Sequence, residues 1–220
     1  MSQNHLPPKI FWLTLFAIAM AFVEAAVVIY LRAIYYPDGF RFPLKAFVDY
    51  KILIEVCREA ATIVMLSTVA HIAGRTFLER FAYLMLSFGV WDIFYYIWLK
   101  ILIEWPASLL DWDILFLIPV PWIGPVIAPV SVSLLMVIFS ILIASAIQKG
   151  HNFRPSAASY ILALLAIALI LYSFTYDTGA TLHQQMPKPY RYEFLIAGNG
   201  LLAAAFIGPI LKNVKQKGAM

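Results

Sequence analysis

Apolar residues fall into six long runs along this chain, separated by short breaks that hold proline, glycine or charge. Each run approaches or exceeds the roughly 20 residues a helix needs to cross a bilayer. The breaks predict helices over 10–34, 52–72, 77–103, 126–147, 157–176 and 194–211. One stretch makes the case alone: between Ile114 and Gln148 there is no acidic or basic residue. The pattern predicts an all-α integral membrane protein, a six-transmembrane-helix bundle forming a single polytopic domain over 1–220. A cleavable leader is the weaker reading of the first run. The apolar stretch after Lys9 continues past Glu24 through Val27, Val28 and Ile29 to Leu31, longer than a signal peptide's hydrophobic region.

The break between the third and fourth runs differs from the others. It reads WPASLLDWDILFLIPVPWIGP and contains Pro106, Pro119, Pro121 and Pro125 with Trp105, Trp112 and Trp122. Prolines one residue apart cannot continue a helix, and Ile114 to Ile118 is too short to cross. An interfacial helix followed by a proline-stiffened segment is expected. Tryptophans anchoring a loop at headgroup level is the simpler version, and a re-entrant segment lining a cavity is the alternative.

Charge orients the bundle. With the N-terminus inside, the cytoplasmic segments hold Lys9, Arg75, Arg80, Lys149, Arg154, Lys212, Lys215 and Lys217 against one acid, Glu79. The external segments mix signs: Arg32, Arg41, Lys45 and Lys51 with Asp38 and Asp49, then Glu104, Asp111 and Asp113. N-in and C-in is the favoured topology, and the cytoplasmic (plasma) membrane the expected location. The bilayer is the partner this implies.

Composition narrows the class further. The chain is 63% hydrophobic and 13% charged, where soluble domains carry about 25% charge. A formal +4 scattered over loops implies no nucleic-acid partner. The single cysteine, Cys57, excludes an intrachain disulfide and reads as a buried small apolar residue. Ala17, Ala21 and Ala25 in the first helix, and Gly200, Ala204 and Gly208 in the last, form small-residue stripes that allow close helix approach. Ordinary packing within the chain is the favoured reading of both, and a homo-oligomer or a membrane-complex partner the alternative.

Against this apolar background five ionisable residues stand out: Glu24, Glu55, Arg58, Glu59 and Asp92. Such a group at the bilayer centre costs roughly 2.5–3.5 kcal/mol on insertion scales, so it normally faces a bundle interior or a watery cavity. Helical rise places Glu24 roughly 21 Å from Ile10, Arg58 roughly 10 Å below Lys51, Asp92 roughly 18 Å above Arg80, and Asn199 roughly 9 Å below Glu193. Polar groups on separate helices thus reach one layer in the outer half. Glu55, Arg58 and Glu59 share a helix face through their i,i+3 and i,i+4 spacings. Glu24 and Asp92 are expected cross-helix partners of Arg58, and Tyr95 and Tyr96 sit within about a turn of Asp92, where a phenol would donate to its carboxylate.

Four carboxylates against one arginine leave an acidic excess that needs water, a cation or protonation, with Lys51 and Lys100 at the rim offsetting part of it. A pocket for a cation, a proton or an amine is the functional reading; buried ion pairs that only fix helix register are the alternative. Recognisable chemistry is otherwise absent. His5, His71, His151 and His183 offer no paired haem ligation, and no zinc, di-iron, Walker or dinucleotide motif occurs. No cofactor is expected. Asp111 and Asp113 are a weak metal candidate, and a solvated turn explains them better. No catalytic residue is assigned, and an enzyme is the less favoured class. A small transporter or binding permease leads. A structural or assembly subunit of a membrane complex, and a membrane-embedded enzyme whose Arg58 holds the anionic head of a lipid-like substrate, remain beside it.

Overall fold

The computed structural model describes residues 6–44, 50–150 and 155–217, with side chains to 209. Lys45, Asp49, His5, His151, Arg154 and the side chains of Lys212, Lys215 and Lys217 lie outside the described residues. The elements in order are α1 (Leu6–Tyr35), α2 (Tyr50–Ala73), α3 (Phe77–Ile103), β1 (Trp112–Phe116), β2 (Trp122–Pro125), α4 (Ile127–Gln148), α5 (Ala157–Thr175), α6 (Thr178–Leu182) and α7 (Tyr192–Lys217). All six expected helices form, the third with the expected ends. Five helical stretches, α1, α3, α4, α5 with α6, and α7, are long and apolar enough to cross a membrane. The chain is thus a multi-pass helical membrane protein. α2 is also long, but Lys51, Glu55, Arg58 and Glu59 set it apart.

The helix ends follow local chemistry. Thr76 caps α3 with a reciprocal box: its hydroxyl accepts from the Glu79 backbone N–H, and the Glu79 carboxylate accepts from Thr76 N–H. Ser156 caps α5 by accepting from Ser159 N–H. At the other end of α3, Glu104 adopts a left-handed φ of 59°. The Lys100 ammonium donates to the carbonyls of Glu104 and Pro106, at 3.1 and 2.9 Å, and ties off that end.

Two packed groups share α4. In the first, α3 lies against α1, α2 and α4 around Leu13, Ala17, Leu66, Leu86, Trp91 and Ile143. Ala17, Ala21 and Ala25 are wholly buried in this bundle, and Trp98 on α3 donates its indole N–H to the Ile18 carbonyl at 3.1 Å. Gly89 brings α3 close to α4, for a β-carbon there would stand 2.7 Å from the Ser133 carbonyl oxygen. In the second group, α7 packs on α5 through Gly198 and Leu202 against Ala166 and Ile170.

Two expectations fail here. The stripe of Gly200, Ala204 and Gly208 faces outward, away from the chain's own helices. α7 instead turns Leu195, Gly198, Leu202 and Ala205 inward, because the larger side chains fill the seam with α5. Cys57 likewise is exposed rather than buried. It shares the outer face of α2 with Leu53 and Ile54, while Glu59 and Thr62 turn in.

The expected interfacial helix between α3 and α4 is a β-hairpin. β1 and β2 pair antiparallel, Asp113 opposite Gly124 and Ile114 opposite Ile123, with an irregularity between Ile114 and Phe116. Proline at 119 and 121 stops helix propagation, and the flanking β-branched and aromatic residues suit a pleated ribbon. Asp111 starts the ribbon: its carboxylate accepts from the N–H groups of Ala107 and Ser108, at 2.8 and 3.1 Å. The tryptophans of this segment pack inside the molecule, Trp122 stacked on Phe174 and Trp105 edge-on to Phe40.

Candidate functional site

Helical periodicity assembles the site. On α1, Glu24, Val28, Leu31, Arg32 and Tyr35 recur every three or four residues and so share one face. On α2 that face carries Lys51, Ile52, Glu55, Arg58 and Glu59, and on α3 it carries Trp91, Asp92, Tyr95 and Tyr96. The three faces enclose a cavity of about 440 Å³ at the end of the bundle where α1 finishes and α2 starts. The hairpin, from Asp113 to Leu117, and α6, through Thr181 and Leu182, complete the wall. Most of the wall's surface is apolar, and its polar groups are nearly all charged or aromatic.

The charges resolve into separate groups. Arg58 is fully engaged: Nε and Nη2 donate to the two carboxylate oxygens of Glu55, at 2.9 and 2.6 Å, and Nη1 donates to Glu24. The fork geometry of guanidinium is what permits this bidentate grip. Thr62 leans on Glu24 at 3.4 Å. A second pair links α1 to the hairpin, Arg32 Nη2 donating to Asp113 Oδ1 at 2.8 Å. The guanidinium carbon of Arg32 also lies 3.8 Å from the ring centre of Trp105 and 4.1 Å from that of Phe40, so it is flanked by two aromatic rings. Asp113 is 2% exposed. Burial pushes its carboxyl above the ordinary carboxylate range, with Arg32 pulling the other way.

The remaining acids have neutral partners. Glu59 accepts the backbone N–H of Leu117 at 2.9 Å, which fastens the hairpin to α2. Asp92 accepts the Ser133 hydroxyl of α4 at 2.8 Å. No ion pair involves either carboxylate among the described residues. Five carboxylates against two guanidiniums leave three negative charges in excess, and Lys51 on the lining offsets one. Among the cavity-lining side chains, Asp113 Oδ2, Trp91 Nε1 and Thr181 Oγ1 are buried without a hydrogen-bond partner.

Of the residues singled out in the sequence, Glu24, Glu55, Arg58, Glu59, Asp92, Tyr95 and Tyr96 come together on this wall, and Asn199 does not. Asn199 donates to Ser131 at 2.9 Å and serves the α4–α7 seam. Arg58 takes Glu24 as its cross-helix partner but not Asp92, which α3 turns toward α4 instead. Tyr95 neighbours Asp113, on the hairpin, rather than bonding Asp92. Lys100 is committed to its helix end and does not line the cavity.

Arg32 escaped the sequence reading, and Asp113 was singled out only as a weak metal candidate beside Asp111. Arg32 sits in the last turn of α1, where a span meets a connection, and was counted as a loop charge. The available signal was helical phase: Arg32 is eight residues beyond Glu24, on the same face. Asp111 and Asp113 point to different partners, and no group of three His, Cys, Asp or Glu side chains capable of holding a metal occurs among the described residues. No family model, curated protein or solved structure matches the chain.

Proposed function

We propose that this protein is a small multi-spanning permease of the cytoplasmic (plasma) membrane whose solute binds in the cavity between α1, α2, α3 and the hairpin. The observation that carries the reading is a cavity of ligand size, about 440 Å³, with unneutralised carboxylates on an otherwise apolar wall. In a protein that only used charge to lock helix register, opposite charges would match; here the acids exceed the bases.

α2 serves as the sixth span. Its charges turn inward, while Leu53, Ile54, Val64 and Met65 on its outer face are 48–66% exposed, as a lipid-facing surface requires. N-in and C-in orientation agrees with the basic end of the bundle. There Lys9 donates to the Ala73 carbonyl, near Arg75 and Arg80, opposite the cavity end. The enzyme alternative loses its anion clamp, because every arm of Arg58 already grips a carboxylate.

Uptake tests the reading. Membrane vesicles carrying wild type or Asp92→Asn protein would be screened with labelled amines, amino acids and carboxylates. At least one solute is expected to enter wild-type vesicles and to fail with the variant at equal protein level. Identical uptake across the panel would sink the proposal.

The outward stripe of Gly200, Ala204 and Gly208 favours one second reading, an assembly subunit that docks α7 on another membrane helix. Under it, Gly200→Leu shifts the size of the purified particle and leaves vesicle uptake flat.

A further inference from the structure

We infer that the cavity's ligand is an organic ammonium ion, drawn in by the acids distributed over the wall, Glu59, Asp92 and Asp113, with its apolar body lying against the aromatic wall of α3. The inference rests on the cavity being a solute site, and three observations set the class.

Charge disfavours an anion first, since the acids of the wall outnumber its two arginines and Lys51. Both guanidiniums on the wall are matched by carboxylates, Arg58 by Glu24 and Glu55, Arg32 by Asp113. An incoming carboxylate or phosphate would have to displace one of these, leaving another acid unpaired in a poorly solvated place. A cation meets the opposite situation. Glu59 and Asp92 have no ion-pair partner among the described residues, each being held by a single neutral hydrogen bond.

A buried acceptor then waits within the lining. Asp113 Oδ1 is used by Arg32 and by the Ile114 N–H, while Oδ2 is buried without a hydrogen bond that meets full geometry, the Tyr95 phenol lying beside the carboxylate. An unmatched buried acceptor is costly, and an N–H donor or a positive methylammonium surface would recover that cost.

Size and wall chemistry separate an organic cation from a bare metal ion. Divalent ions need about six oxygens converging on one point, and no cluster of three acidic, His or Cys groups is present among the described residues. Trp91, Tyr95 and Tyr96 instead supply ring faces and edges. Such π surfaces hold ammonium ions where water is scarce.

Ligand-dependent unfolding of the full chain in detergent provides the test. Benzyltrimethylammonium, phenethylamine and tetraethylammonium would be compared with benzoate, benzyl alcohol, magnesium and calcium. At least one ammonium ion is expected to raise the melting temperature saturably. Benzoate, benzyl alcohol and both metals should leave it unchanged. Glu59→Gln and Asp92→Asn, which keep an acceptor for Leu117 and Ser133, should each weaken that binding about ten-fold.

Saturable stabilisation by benzoate, benzyl alcohol or a divalent metal, with the ammonium ions silent, overturns the assignment of class and leaves the permease reading standing. Silence of all seven compounds, together with flat uptake in vesicles, overturns both. Wild-type response to the ammonium ions decides the matter even if a variant fails to fold.

Discussion

Arg58 holds two carboxylates on two helices, so its loss differs in kind from the loss of either acid. Breaking a buried pair by removing one partner costs about 3–5 kcal/mol, because the other charge stays behind. Arg58→Met alone should therefore cut accumulation and lower the melting temperature sharply. Combining it with Glu24→Gln and Glu55→Gln removes the stranded charges and should restore most of the loss. Thermal denaturation of the single and triple variants measures this; a triple variant no better than Arg58→Met would mean that Arg58 acts through packing instead.

Arg32 and Asp113 obey the same logic with an added aromatic component. Arg32→Met paired with Asp113→Asn should outlast Arg32→Met alone. Arg32→Lys should fall between wild type and Arg32→Met, since an ammonium keeps the charge but lacks the planar face that lies between Phe40 and Trp105.

At the level of elements, glycines report which helix faces are closed. A methyl group on Gly89 would collide with the α4 backbone at Ser133, whereas one on Gly200 meets nothing within 4 Å. Gly89→Ala should destabilise by about 1–3 kcal/mol through overpacking. Gly200→Ala should be neutral or gain up to about 1 kcal/mol from helix propensity. Parallel melting curves check both signs.

The same elements show what the sequence carried. Apolar run length located the six long helices, five of which are apolar enough to cross a bilayer, and the charges inside those runs stood out because an apolar background makes them costly. The hairpin was not legible. ILFLI has the length and composition of either a strand or a buried helical turn, and only pairing with WIGP across the 119–121 prolines decides between them. Which stripe of small residues is covered was equally hidden. Both have the same spacing, and the bulk of their neighbours on α3 and α5 settles which face turns in.

On the scale of the whole molecule, the basic group of Lys9, Arg75 and Arg80 and the acid-rich cavity sit at opposite ends. A low-dielectric wall around unbalanced carboxylates concentrates their field at the cavity mouth. Cations should be enriched there and anions depleted, whatever the natural ligand. Ile52 lines the cavity one residue beyond Lys51, so a cysteine there samples that field directly. The background needs only Cys57→Ser, because Cys57 is the chain's single cysteine and is exposed. With Ile52→Cys in that background, a trimethylammonium thiosulfonate reagent should react faster than a sulfonate-bearing one of equal size by about ten-fold, within the range that charged clefts impose on association. The ratio should shrink in high salt, and should fall further with Glu59→Gln and Asp92→Asn combined. It should stay near unity for a cysteine at Met186, which is 65% exposed in the connection before α7 and does not line the cavity. Equal rates at Ile52 for the two reagents would mean that the acids are protonated or internally matched at rest, and the cavity would then have no preference of sign to offer a solute.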